Sequence, residues 1–376
     1  MLDKIERRTF IKNGISAGAG VMGSAFIATA SKSQILFRRS GPDSRELVRV
    51  GVLCCGPDAH INNTLGGLIN PVPGKIRQTG MIMTYCWDID PTVSEIFAKR
   101  FGCTPVKNYY DMIGKIDAVI QGGYTSHPVN HKLVAPYLEA RIPTYVNRPF
   151  TNSLTKAKII IEKAKSYGTP LMCGSAFEYT REAEIVRTKV KEWGNITGYS
   201  ATNAVSDYST HGIHGVYACY RCIGGPVTGV AYQTGNWLNP NGLLVFEHPG
   251  REGGGTFYGT LQQIPGGFTN WSLKVWNKEG EYFEQSAFGE KTQYDRDNFL
   301  WAPFLMAIQR MFEWGEMPEP YENILEKTTV FLTGFKSHLE HGGAPVKVKD
   351  LPPDWEAPSF SEGRYGYATY DEKIFD

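Results

Sequence analysis

Between about residues 47 and 176 short apolar runs alternate with amphipathic ones. "LVRVGVLCCG", "MIMTYCWD", "IDAVIQGG", "PTYVN" and "PLMCGSA" are compact and nearly uninterrupted in their apolar character, as strands covered on both faces are. Between them "PTVSEIFAKRFG", "PVNHKLVAPYLEA" and "SLTKAKIIIEKAKSYG" carry helical spacing. Gly102 and Gly168 stand where left-handed C-caps belong. This alternation predicts right-handed βαβ units and a parallel Rossmann sheet. From residue 182 the pattern changes. One helix, "EAEIVRTKVKEWG", precedes "GVAYQTG", "GLLVFEH", "GGTFYGTLQQ" and "NWSLKVWN", which alternate like strands with one exposed face. Two amphipathic helices, "FLWAPFLMAIQRMFEWG" and "YENILEKTTVFLTGFKSHLEHG", follow. The expected architecture is α/β followed by α+β. A Rossmann domain over 47–168 leads into a domain over 169–360 with a large, open, mostly antiparallel sheet. A signal segment (1–30), an arm (31–46) and a tail (361–376) complete the chain.

Composition narrows the partners. The 376 residues carry a net charge of +1, with 41% hydrophobic and 12% aromatic residues, enough for two cored domains. Near-neutrality gives no electrostatic case for nucleic acid. The first thirty residues hold Arg7 and Arg8, a mildly apolar Gly/Ala-rich run, and small residues at Ala28-Thr29-Ala30. That run is too weak and short for a membrane span, and the pattern resembles a twin-arginine (Tat) export signal. The implied destination is the periplasm. Seven cysteines sit mostly in apolar runs and read as buried thiols. Cys219 and Cys222 are spaced like half a zinc site without a second pair, so no metal is expected.

Ligands of parallel α/β sheets bind beyond the carboxyl ends of the strands. After the first strand stands "CCGPDA". Against G-x-G-x-x-G/A, Gly56 fills the second place, where backbone approaches pyrophosphate, and Ala59 the third, where helix packs on strand. Cys54 takes the first place, a poor fit if positive φ is required. Asp88 ends the second strand, where a carboxylate accepts from ribose hydroxyls and repels a 2′-phosphate. The alternative for Asp88 is a turn or N-cap aspartate. Together these residues point to NAD rather than NADP.

The order of elements from about 47 to 350 resembles the Gfo/Idh/MocA (glucose–fructose oxidoreductase / inositol dehydrogenase) family. "LVRVGVLCCGPDA" stands in place of its nucleotide turn, "VNRP" in place of its Glu-Lys-Pro motif, and "THGIHGVYACYRCIGGPV" where an Asp/His-bearing motif precedes a helix. The resemblance implies that Asn147 replaces the glutamate and Arg148 the lysine that contacts cofactor and substrate. Arginine stays protonated, so Arg148 suits holding an alkoxide better than moving a proton. The same resemblance sets Thr210 in place of the motif's aspartate and keeps its histidine as His214, the leading acid/base candidate, with His211 and Tyr217 flanking. Gly123 and Tyr124 fall beside the expected nicotinamide ribose. The alternatives are histidines that only serve a turn, or a metal pair with His127 or His131. Trp237, Phe246, Trp271 and Trp301 read either as a carbohydrate platform or, more simply, as core.

The implied function is an exported NAD-dependent enzyme acting on a sugar or glycoside, assembled as a homo-dimer or homo-tetramer. Without free nicotinamide outside the cytoplasm, redox-neutral chemistry is favoured: coupled oxidation and reduction, epimerisation, or glycoside cleavage through a keto intermediate. The competing expectation is a carbohydrate-binding or accessory protein that has lost hydride chemistry. Cys54, Arg148 and Thr210 motivate it.

Overall fold

A computed structural model describes residues 47–57, 59–123, 125–250, 254–266, 271–287 and 296–358, together with 370 and 375. The signal segment, the arm and Tyr124 therefore lie outside the described residues. Among those described, no helix is long and apolar enough to cross a membrane.

The apolar runs form a six-stranded parallel sheet: β1 (Val48–Leu53), β2 (Met81–Trp87), β3 (Thr104–Pro105), β4 (Ala118–Gln121), β5 (Thr144–Asn147) and β6 (Leu171–Gly174). Its order, β3-β2-β1-β4-β5-β6, reverses between β1 and β4, which opens the ligand crevice at their carboxyl ends. β4, β5 and β6 are buried at every residue, which is why they read as unbroken apolar runs. Because β6 pairs with β5, this sheet continues past residue 168.

Helices of the first part are α1 (Gly66–Ile69), α2 (Pro91–Phe101), α3 (Asn130–Leu133), α4 (Ala135–Glu139) and α5 (Leu154–Tyr167). Their ends follow local chemistry. Asp90 accepts from the Thr92 amide at the start of α2, and Ser153 accepts from the Lys156 amide at the start of α5. Gly102 (φ 70°) and Gly168 (φ 65°) close the two helices.

The second sheet has seven strands in the order β12-β11-β7-β10-β9-β8-β13. They are β7 (Ile196–Val205), β8 (Gly229–Gln233), β9 (Gly242–His248), β10 (Phe257–Pro265), β11 (Trp271–Asn277), β12 (Tyr282–Ala287) and β13 (Val346–Lys347). Only β7 and β10 pair in parallel. Burial alternates along β10 and β11, so one face is core and the other open, as the sequence pattern requires. Helices α6 (Arg181–Trp193), α7 (Ile213–Ile223), α8 (Ala302–Trp314) and α9 (Tyr321–His341) complete the core. Phe246, Trp271 and Trp301 are buried and Trp237 packs on Phe335, so these aromatics form core rather than an exposed platform.

A buried ion cluster joins the two sheets' supporting elements. The Lys327 ammonium on α9 donates to the Cys173 carbonyl of β6 (2.8 Å), to Glu178 (2.9 Å) and to Glu319, with all three side chains essentially inaccessible. Burial lifts the Glu178 carboxyl above the carboxylate range; Lys327 opposes this and Glu319 adds to it.

Candidate active site

The turn after β1 is sharp. Cys54 adopts φ 57°, the left-handed region that the first position of a dinucleotide turn demands, at a steric cost of about 1–2 kcal/mol for a non-glycine residue. Gly123 makes this tolerable: a Cβ there would approach that of Cys54 to 2.8 Å. Gly56 faces open space, since an added Cβ would meet nothing within 4 Å. The Ala59 amide donates to the Gly56 carbonyl (2.9 Å), tightening the turn into the helix. Burial pushes the Cys54 thiol up to about 12, with the Asp88 charge adding to it, so this cysteine is an inert packing group.

Asp88 closes β2 and is 6% exposed. Its Oδ1 accepts from the Asp90 amide (3.3 Å) and its Oδ2 from the Tyr370 hydroxyl (3.1 Å). Burial raises its carboxyl to about 6 despite these hydrogen bonds. At the end of β5, the Asn147 side-chain amide donates to the Gly122 carbonyl (2.8 Å), and its backbone amide donates to Gln121 (3.0 Å). Asn147 thus ties β5 to β4 across the crevice floor.

Arg148 answers why a chain ends a buried strand with a cation. It is 2% exposed, and its Nη2 donates to Nε2 of His60 (3.2 Å) and to Nε2 of His214 (2.9 Å). Its Nη1 reaches Asn147 Oδ1 (3.3 Å). A guanidinium only donates, so both imidazoles present Nε2 as acceptors. His214 must then carry its proton on Nδ1, which it gives to Ser175 Oγ (2.5 Å). Burial first, and the Arg148 charge second, hold both histidines well below the usual imidazole value.

His214 was the leading acid/base expectation. Both of its ring nitrogens are committed, and protonating it would set a second cation against Arg148. Tyr217 lies apart from this group. Its hydroxyl faces Thr328 (3.5 Å), and the Lys327 ammonium lies 4.6 Å from its ring, so it belongs to the buried ion cluster.

A second imidazole, paired with a carboxylate, lies one turn earlier. β7 ends at Val205, Asp207 caps the following π-helical turn, and His211 Nδ1 donates to Asp207 Oδ2. Asp207 also accepts from the Thr210 amide (2.6 Å) and hydroxyl (2.8 Å) and from Ser206 Oγ (3.2 Å). Burial alone would raise the Asp207 carboxyl, but the His211 and Thr210 contacts outweigh it and hold it below the usual range. An ionised carboxylate on Nδ1 fixes the tautomer that carries its proton on that nitrogen. His211 keeps 15% of its side chain exposed, and its ring lies 6.3 Å from that of His214. Thr210, expected in place of the motif's aspartate, donates to Asp207. The spacing Asp207–His211 (i, i+4) was the available sign.

His60, Ser175 and Tyr370 were not anticipated. His60 enters from the helix after the nucleotide turn, and its ring packs 5.1 Å from that of Trp301. Among the described residues no group of three or more His, Cys, Asp or Glu side chains is arranged to hold a metal.

The sequence matches no protein-family model and no curated protein. Solved structures do match. Myo-inositol dehydrogenase from Lactobacillus casei, in complex with NAD(H) and myo-inositol, gives a TM-score of 0.65 at 14% identity over 80% of this chain and 96% of that one. GenD2 from gentamicin A biosynthesis, in complex with NAD, gives 0.65 at 14% over 82% and 98%. Myo-inositol dehydrogenase from Corynebacterium glutamicum gives 0.62 at 13% over 80% and 98%. The protein thus has the two-sheet fold of the inositol dehydrogenases and related NAD oxidoreductases.

Proposed function

We propose that the protein is an NAD-dependent oxidoreductase that acts on a secondary hydroxyl of a sugar or cyclitol. The observation that carries the reading is the Asp207–His211 pair, whose imidazole lies 6.3 Å from that of His214, the ring that Arg148 contacts after β5 of a Rossmann sheet. The residues of the crevice suit a dinucleotide. Open space at Gly56 admits pyrophosphate, and the Asp88 carboxylate stands where ribose hydroxyls donate. When bound, the nicotinamide accepts the hydride from the carbinol carbon.

The chain's own groups handle the proton. His211 Nε2 takes it from the substrate hydroxyl, and the Asp207 carboxylate stabilises the imidazolium that forms. Arg148 is a fixed positive charge near the oxygen as it becomes an alkoxide. His214 and His60, held neutral, keep that guanidinium in place without adding charge.

The signal-like first thirty residues support export to the periplasm, where a retained cofactor would run redox-neutral chemistry: coupled oxidation and reduction, epimerisation, or glycoside cleavage through a keto intermediate. The open face of the second sheet, with Tyr258 54% and Tyr282 61% exposed, is the surface for pairing with further copies of the chain. A second reading, a carbohydrate-binding protein without hydride chemistry, draws on Tyr370 at Asp88 and on the burial of Arg148.

The deciding experiment denatures freshly purified protein and assays the released nucleotide, then titrates nucleotide-free protein with NAD. Retained or titratable NAD, with reduction of the nicotinamide by a cyclitol or pyranose, supports the oxidoreductase. Absence of both leaves the second reading.

A further inference from the structure

A second cavity lies outside the crevice, where α6, the end of α7 and the start of α9 come together. Its volume is about 290 Å³, which suits a small ligand. None of its lining residues is among those placed in the crevice above.

Two helices bring cations to it. Arg187 and Lys191 stand one turn apart on α6, and Arg221 stands in the last turn of α7. Arg187 is neutralised, because its Nε and Nη2 donate to the two carboxylate oxygens of Glu184 (2.9 and 2.6 Å). The other two cations are not. Lys191 is exposed and meets no carboxylate among the described residues. Arg221 donates Nη1 to the Pro318 carbonyl (2.9 Å) and lies 5.3 Å from the Tyr179 ring. Its Nε is buried without a hydrogen-bond partner, and no carboxylate pairs with it among the described residues.

The acids nearby are already engaged. Glu319 lines the cavity, but its carboxylate belongs to Lys327. Glu326 accepts from the Tyr220 hydroxyl (2.7 Å) and the Val227 amide (3.0 Å), so Tyr220 lends the cavity its ring rather than a donor. Helix α9 starts without a side-chain cap, and Asn323 of its first turn adds a neutral amide to the lining. The positive end of that 21-residue helix has the same sign as the two free cations. Val190 and Ile223 supply an apolar strip of wall.

We infer that this cavity binds a small oxyanion, a phosphate or a carboxylate on a short carbon skeleton, held between Lys191 and Arg221. An ammonium and a guanidinium from separate helices suit an anion with several oxygens, and charge-assisted hydrogen bonds are the strong ones. The inference goes beyond the dinucleotide reading and does not depend on it.

The test is calorimetric titration of the full-length protein at low ionic strength with inorganic phosphate, glycerol 3-phosphate and malonate. Wild type, Lys191→Gln, Arg221→Gln and Lys189→Gln are compared. Lys189 is the control, since it neighbours the cavity on α6, does not line it and pairs with Glu192. Wild type is expected to bind at least one probe with a Kd of about 1 mM or tighter. Lys191→Gln and Arg221→Gln should each weaken that binding roughly tenfold, and Lys189→Gln should leave it unchanged. Preference for the two phosphates assigns a phosphate ligand, and preference for malonate assigns a carboxylate. Lys191→Gln changes an exposed side chain, so it keeps the test sound if Arg221→Gln fails to fold. No binding of any probe by the wild type overturns the inference. So does an equal effect of Lys189→Gln and Lys191→Gln, which is the mark of diffuse charge rather than a site.

Discussion

Two buried charge clusters meet at Ser175 and differ in how they reach the surface. On its backbone side, the Ser175 amide donates to Glu178, which belongs to the Lys327–Glu178–Glu319 cluster. On its side-chain side, Ser175 Oγ accepts from His214, which belongs to the Arg148–His60–His214 cluster. The first cluster is saturated: Lys327 gives its three protons to two carboxylates and a carbonyl, with nothing turned toward solvent. The second opens onto His211, whose partly exposed ring is set by Asp207. Burial of charge alone does not mark a catalytic group.

The sharpest way to break this contrast is His211→Ala. It should lower kcat by roughly 10²–10⁴ while leaving NAD affinity and melting temperature near wild type, measured by steady-state kinetics and calorimetry. Asp207→Asn should approach the same loss by favouring the wrong tautomer, although it also weakens the cap at Thr210.

Lys327→Met should do the reverse. Two buried carboxylates lose the cation held between them, so stability should fall by about 3–5 kcal/mol, read from urea unfolding. The same cluster predicts a pH dependence. The Glu178 carboxyl is raised in the folded state, so the folded protein holds a proton that the unfolded chain releases above its ordinary value of 4.5. Stability should therefore decline as pH rises above 4.5, and Glu178→Gln should flatten that decline.

The smallest effect belongs to His214. His214→Phe removes the Nε2 acceptor from a buried guanidinium donor, which should cost about 1–3 kcal/mol of stability. Its kcat should fall far less than that of His211→Ala. Equal loss of kcat from the two substitutions would erase the distinction drawn between them.

These residues also show what the sequence could convey. The parallel strands were legible because both faces are buried, and the helix ends because Gly102 and Gly168 take positive φ. Gly56, Ala59 and Asp88 fell where the strand-turn-helix pattern put them. The Asp207–His211 contact was not read from "DYSTHGIHG", which offers two histidines three positions apart, because a π-helical turn at Tyr208–Gly212 decides which of them faces the carboxylate. His60 and Arg148 are 88 positions apart and meet only through the sheet's order. Tyr370 on Asp88 was beyond any local pattern, because nothing in a terminal aromatic indicates which strand end it reaches.

The central claim is that His211, held by Asp207, takes the proton while a bound nicotinamide takes the hydride. Single-turnover formation of NADH, followed by absorbance with NAD-loaded wild type and NAD-loaded His211→Ala against a panel of cyclitols and pyranoses, tests it most directly. The account predicts rapid NADH formation in the wild type and, in a variant that retains its NAD, a rate slower by roughly 10² or more. NADH formed at the wild-type rate by His211→Ala, or no NADH from any of these substrates in the wild type, would contradict it.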